Sequence, residues 1–245
     1  MRQRGPFVRF LGTGTPLGLH GLHQSCILVE TLDRKLLIDC GMTALASLGR
    51  IGMHPAELDA VIISHLHGDH FGGLPLLLLD ATLRGRARPL TVAGPAATRE
   101  RVTQALELFG WTSARIDAAT FVPLTPGVTA PVAACAVTAL EVTHNPATAP
   151  TGLRLATDGV TIGYSGDAGW SDALVEIARG ADLFICGVWS FDTPEASFID
   201  LATLLQNRHR LDCRRLILTH LGPSILEHLS EVPLEVATDG LTIQL

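Results

Sequence analysis

Three histidines and a carboxylate fall within six consecutive positions, His65-Leu66-His67-Gly68-Asp69-His70, in a chain of 245 residues with only ten histidines. They follow the apolar run AVIIS (60–64), where core packing would favour other side chains. Imidazole and carboxylate are divalent-metal ligands. In an extended segment side chains alternate, so His65 and His67 share a face and can meet one ion. Gly68 is expected to allow a turn that a Cβ would hinder, swinging Asp69 and His70 to a second position. Gly72 and Gly73 are expected to allow a close backbone approach just afterwards. A catalytic metal site needs roughly three protein ligands and an open position. Four donors are therefore too few for two ions and an awkward excess for one.

The remaining donors sit in a repeated setting, just past the end of an apolar run. His144 ends TALEVTH, Asp167 follows TIGYSGD and His220 ends RLILTH. A lone histidine after a strand is usually a hydrogen-bonded core group, but three such residues beside the 65–70 cluster form a set. Loops at one sheet edge bring distant segments together. Five histidines and two aspartates suit two ions sharing a bridging carboxylate, with Zn²⁺ the expected metal and Mn²⁺ or Fe²⁺ as alternatives.

Elements must hold these residues in place. FVRFLG (7–12), CILVET (26–31), KLLIDC (35–40), AVIIS, PLTVAG (89–94), ACAVTALEVT (134–143), TGLRLAT (151–157), VTIGYS (160–165), ADLFIC (181–186) and RLILT (215–219) read as strands. Helices are expected over 95–109, 171–179 and 197–207. Asp158-Gly159 and Asp239-Gly240, in the near-repeats ATDGVTI and ATDGLTI, both read as hairpin turns. With 47% hydrophobic residues and no low-complexity linker, residues 1–245 are expected to form one α/β (α+β) domain, its sheets covered by helices.

HLHGDH with the later histidine, aspartate and histidine resembles the metallo-β-lactamase superfamily of dinuclear metal hydrolases. FLGTGTP (10–16), LLIDCG (36–41), YSGD and LTHLGPS (218–224) narrow the resemblance to its ribonuclease Z-like branch, which includes cyclic phosphodiesterases. The resemblance implies a four-layer αββα sandwich with the site at one edge. It places His65, His67 and His144 on one metal and Asp69, His70 and His220 on the other, with Asp167 bridging both. Asp69 is also the candidate catalytic carboxylate, and Asp39 would support the site by hydrogen-bonding a ligand. The nucleophile would be a metal-bridging hydroxide, so Cys40 is read as structural.

Two departures narrow the function. The glutamate and histidine with which ribonuclease Z protonates its leaving group fall here on Gly187 and Phe198, neither able to move a proton. Only 22 residues (145–166) separate His144 from Asp167, too few for the tRNA-gripping arm of bacterial ribonuclease Z. With a net charge of −6 and no dense Lys/Arg run, this argues against tRNA 3′ processing. The leading expectation is a phosphodiesterase for a small phosphodiester, cyclic ones included, with a ribonuclease Z-type endonuclease, a lactone or thioester hydrolase and a non-catalytic metal-bound sensor as alternatives.

His20, His23 and Trp189 are candidate substrate contacts. Phe191 and Phe198 are read as apolar wall or core, and Tyr164 as core, with hydrogen bonding near the site as the alternative. His54, His209 and His228 are read as surface residues. No apolar run approaches the ~20 residues of a membrane span, and MRQRGPFVRFLGTG has no continuous apolar stretch of a signal peptide. The five scattered cysteines suit a reducing cytoplasm. The expected partner is a small-molecule substrate, without membrane or nucleic acid, and a homodimer is the one assembly kept open.

Overall fold

Leu36 and Ile38 of KLLI face one way and Leu37 the other, yet all three are fully buried. Such a strand needs apolar cover on both faces. The computed structural model describes residues 5–245 and provides that cover. Residues 1–4, part of the expected domain and of the N-terminal stretch, lie outside the described residues.

One sheet contains β1 (Phe7–Gly12), β2 (Cys26–Glu30), β3 (Lys35–Ile38), β4 (Ala60–Ile62), β5 (Leu90–Gly94) and β6 (Ala119–Pro123). The other contains β7 (Thr129–Val132), β8 (Cys135–Glu141), β9 (Thr151–Thr157), β10 (Val160–Tyr164), β11 (Leu183–Gly187), β12 (Leu216–Thr219) and β13 (Glu235–Val236). The last strand, β14 (Thr242–Gln244), returns to the first sheet beside β1. The orders are β14-β1-β2-β3-β4-β5-β6 and β13-β12-β11-β10-β9-β8-β7. Strands β3 to β6 run parallel, as do β10 to β13.

The helices are α1 (Ala44–Arg50), α2 (Gly68–Phe71), α3 (Leu74–Leu83), α4 (Thr98–Leu108), α5 (Asp172–Ala178), α6 (Leu201–Asn207) and α7 (Pro223–Glu227). Strand alternation sorts the apolar side chains into three layers. Val8, Phe10, Leu36, Ile38, Leu153 and Ile185 meet between the sheets. Leu28, Leu37 and Val61 face α1, α3 and α4 on one outside. Phe184, Cys186 and Leu218 face α5, α6 and α7 on the other. This is the αββα order that the resemblance implied.

Three expectations shift. The helix read over 197–207 begins at Leu201, because the Asp200 carboxylate accepts the Thr203 N–H at 2.8 Å and caps the start there. The helix read over 95–109 begins at Thr98, whose hydroxyl donates to the Pro95 carbonyl at 2.6 Å. Asp158-Gly159 turns the hairpin between β9 and β10, as read. Asp239-Gly240 does not: it carries the chain from β13 in one sheet to β14 in the other. The Asp239 carboxylate accepts the Thr13 N–H and hydroxyl and the His23 N–H at 2.8–2.9 Å, tying this crossing to the loop after β1.

On β9, half-buried Arg154 reaches across to the end of α5. Its Nη1 donates to the carbonyls of Ile177, Arg179 and Glu176 at 2.7, 2.8 and 3.1 Å. A cation at a helix C-terminus satisfies carbonyls that have no partner in the helix. Arg154→Met is expected to cost about 1.5–3 kcal/mol, seen as a melting midpoint lowered by roughly 3–10 °C with the circular dichroism spectrum unchanged.

Candidate metal centre

The seven donors gather where strands end at one rim. His65 and His67 follow β4, and Asp69 and His70 lie in α2 directly behind them. His144 follows β8, Asp167 follows β10 and His220 follows β12. Backbone hydrogen bonds lock these loops together. Leu66 N–H donates to Thr148 O and His220 N–H to Thr13 O, both at 2.9 Å. His220 and Asp39 both hold a left-handed backbone (φ 54° and 57°), uncommon for residues with a Cβ and typical of functional sites. Gly73 lets α2 close on the Asp39–Gly41 loop, since a Cβ there would sit 2.4 Å from Gly41 O. Gly68 is different: a Cβ on it would meet nothing within 4 Å and its φ is not positive. The tight approach belongs to Gly72 and Gly73, and the turn expected to need Gly68 is simply the first turn of α2.

The donor atoms converge in two groups. In one, His67 Nδ1 stands 3.1 Å from both His65 Nε2 and His144 Nε2. Asp167 Oδ2 lies 3.8 Å from the same Nε2 atoms of His65 and His144. In the other, His220 Nε2 is 3.1 Å from Asp69 Oδ2 and 3.3 Å from His70 Nε2, and His70 Nε2 is 3.4 Å from Asp69 Oδ2. Asp167 Oδ1 turns to this second group, 3.4 Å from His70 Nε2. Tetrahedral ligands at about 2.0–2.1 Å from a zinc ion stand about 3.3 Å apart, so these separations are those of ligands around an ion. Asp167 Oδ1 is buried with no hydrogen-bond partner. A buried acceptor without a donor is costly unless a cation satisfies it. The residues fit two ions joined by one carboxylate.

Beneath the rim, Asp39 is fully buried and only accepts. Oδ1 takes the Ser64 N–H at 2.8 Å. Oδ2 takes His70 Nδ1–H at 2.7 Å, the Ser64 hydroxyl at 2.9 Å and the Tyr164 hydroxyl at 2.9 Å. Because Ser64 gives its one proton to Asp39, its oxygen must accept from His65 Nδ1–H, 3.0 Å away. One carboxylate therefore fixes an imidazole tautomer in each group, directly for His70 and through Ser64 for His65, leaving both Nε2 lone pairs aimed at the rim. His144 Nδ1–H donates to Ser197 O at 2.8 Å with the same result.

Burial, reinforced by the charge of His70, pushes the His65 imidazole well below its ordinary range. Burial and then His144 do the same more mildly to His67. Burial alone would raise Asp69 and Asp167, but the surrounding His220 and His70 outweigh it and hold both carboxyls below the usual range. His70 goes up: burial opposes its charge, and Asp167 and Asp39 overcome that.

The other candidates fall on the flanks. Half-buried Trp189 stacks on Phe198 with ring centroids 4.9 Å apart. Phe198 packs edge-on to His144 at 4.8 Å, and Trp189 lies 6.2 Å from His220. A Cβ at Gly187 would lie 3.7 Å from the His220 Cβ. Positions 187 and 198 thus stand at the centre and carry no titratable group. His23 is half-buried and its ring pairs with the Ser47 hydroxyl on α1, while His20 is exposed in a short turn. Phe191 packs against His228 instead of the centre. Cys40 is fully buried and burial pushes its thiol up, as its structural reading requires. Sequence reading missed Ser64, although its place directly before His65 and beyond an apolar strand was a signal.

Comparison with known proteins places this rim. The model of a family described as the beta-lactamase superfamily domain matches residues 34–221, which include all seven donors. Ribonuclease BN of Enterobacter sp. (strain 638) is 40% identical over 108 residues, 42% of this chain and 35% of that protein. Ribonuclease Z of Mycobacterium bovis (strain BCG / Pasteur 1173P2) is 29% identical over 191 residues, 73% of this chain and 68% of that protein. The chain thus spans about a third of the first relative's length. Among solved structures, the metallo-beta-lactamase fold protein YhfI of Bacillus subtilis superposes with a TM-score of 0.79 over 98% of this chain and 100% of that one, at 23% identity, which is a likeness of fold.

Asp39→Asn would set an N–H₂ against a donor in either orientation of the amide, since both carboxylate oxygens face donors. Its zinc affinity, measured by competition with a chromophoric chelator, is expected to fall about 10–100-fold. Ser64→Ala is expected to weaken one of two sites and Ser64→Thr to restore it.

Proposed function

The chain belongs to the beta-lactamase superfamily, and from that premise we propose that it is a dinuclear metal-dependent hydrolase of small phosphodiesters, cyclic ones included. The observation that carries this is Asp167, whose two oxygens face two separate donor groups. His65, His67 and His144 would hold one ion, Asp69, His70 and His220 the other, and Asp167 both. Two divalent ions there would supply a hydroxide nucleophile near neutral pH, a coordinated water losing its proton far more readily than bulk water, and positive charge for the oxygen that gathers charge on the reacting group. Zinc suits the imidazole-rich set, with manganese and iron as alternatives.

The chain's own part is to keep that corner dry and fixed. Asp39 and Ser64 hold imidazoles in the tautomer that presents Nε2. The Ser197 carbonyl does the same for His144, and the strap 197–199 that provides it also carries Phe198. Trp189 and Phe198 shield the flank from water. With Gly187 and Phe198 at the places assigned to leaving-group protonation, the reading favours substrates whose leaving group departs without a proton from those positions. The relatives' names are ribonucleases, but the 22 residues between His144 and Asp167 here form the loop 145–150, the hairpin β9–β10 and a short turn. That favours a small substrate over tRNA.

Protein loaded with Zn²⁺ or Mn²⁺ is expected to hydrolyse bis-p-nitrophenyl phosphate and cyclic nucleotides and to lose that activity on chelation. His67→Ala, whose ring is the least buried of the histidine ligands, is expected to lower kcat/KM roughly a hundredfold or more without unfolding the chain. Turnover confined to lactones or thioesters would replace the phosphodiesterase reading. Two bound ions with no turnover on any ester would favour a sensor.

A further inference from the structure

Beside the metal centre, on the same rim, lies a cleft of about 600 Å³ that the reading above does not use. Its size falls within the roughly 300–1,000 Å³ of small-molecule sites. Its walls come from the loops after β5 and β6, the end of β8 and the loop leading into β9. Pro95, Pro123, Pro126, Pro146 and Pro150 line it, with buried Leu124 and Val142. Five prolines make a wall whose backbone is already fixed and which offers no N–H at those positions. Among the described residues, the ionisable ones that line it are Glu141 and His144.

One loop borders both the cleft and the centre. His144 belongs to both. The loop from His144 to Thr151 forms one wall and is bonded to the His65–His67 segment: Thr148 O accepts the Leu66 N–H at 2.9 Å, and the Thr151 N–H and hydroxyl donate to Ser64 O at 3.0 and 2.7 Å. The cleft and the donor corner thus share one residue and one loop.

Charge narrows what would lie there. Segments 64–83, 116–153, 155–178, 180–207 and 216–245 contain no lysine or arginine. All seven donors, and every cleft residue except Pro95 and Ala96, come from these segments. Binding a chain of phosphates depends on neutralising each one with a cation, and among the described residues no lysine or arginine lines the cleft.

We propose that the cleft seats an uncharged, apolar part of the substrate, an alkyl or aryl group esterified to the reacting phosphate, so that the substrate's negative charge is confined to the group at the metal centre. This deepens the hydrolase reading and rests on it for the reaction, but the seating of an apolar tail is a binding property with its own test.

The test uses zinc-loaded protein and non-hydrolysable alkylphosphonates from methyl to decyl, with dissociation constants measured by calorimetry. Affinity is expected to rise about two- to fourfold per methylene until the cleft is filled. Thr125→Arg and Ala96→Glu, two exposed lining positions outside the donor set, are expected to remove that rise, leaving methylphosphonate binding and the melting midpoint unchanged. Affinity independent of chain length, or a rise that survives both substitutions, overturns the proposal. So does a short single-stranded oligonucleotide binding more tightly than decylphosphonate. Length-dependent binding without turnover of any ester would keep the cleft and remove the hydrolase reading. Turnover of p-nitrophenyl phosphodiesters with no length dependence would do the reverse.

Discussion

Seven lone-pair donors crowded into a buried corner are stable together only if positive charge sits between them. His67 Nδ1 faces two other imidazole nitrogens at 3.1 Å, and an ionised Asp167 keeps one oxygen without any donor. Water cannot offset this, since six of the seven donor residues are no more than 8% exposed. The chain gathers lone-pair donors into two groups that divalent cations would satisfy, and metal binding would therefore also stabilise the folded state.

The architecture follows from what this corner needs. Two sheets with parallel central strands bring several C-terminal strand ends to one rim, where loops from distant parts of the sequence can meet. The between-sheet layer beneath is largely apolar, and where Asp39 enters it Tyr164, Ser64 and His70 surround the carboxylate with donors. That fully satisfied buried network gives the rim a rigid floor, and it links the two donor groups through a single side chain.

The cluster of seven donors that the structure gathers was legible in the sequence because its residue types are so poorly suited to ordinary strand ends. His65 to His70 announced a site by density, and His144, Asp167 and His220 by repeating one setting. The floor was less legible. Ser64 is a common residue whose importance lies in donating one way and accepting the other, and Tyr164 is both core and, through its hydroxyl on Asp39, the hydrogen-bonding residue its sequence setting kept open. Helix α3 escaped because LPLLLLDATL is apolar nearly throughout and carries no helical period. Asp239-Gly240 shares turn chemistry with Asp158-Gly159, yet only the latter joins neighbouring strands, and pairing is a tertiary fact that seven residues of likeness do not contain. The proline-walled cleft is assembled from three separated segments, none with a pattern of its own.

The most direct test of the central claim is anomalous diffraction at the zinc edge from crystals grown with zinc. Two peaks about 3.5–4 Å apart are expected, one within bonding distance of His65, His67 and His144, the other of Asp69, His70 and His220, with an Asp167 oxygen on each. A single peak, an empty corner, or Asp167 turned away from either ion would contradict it.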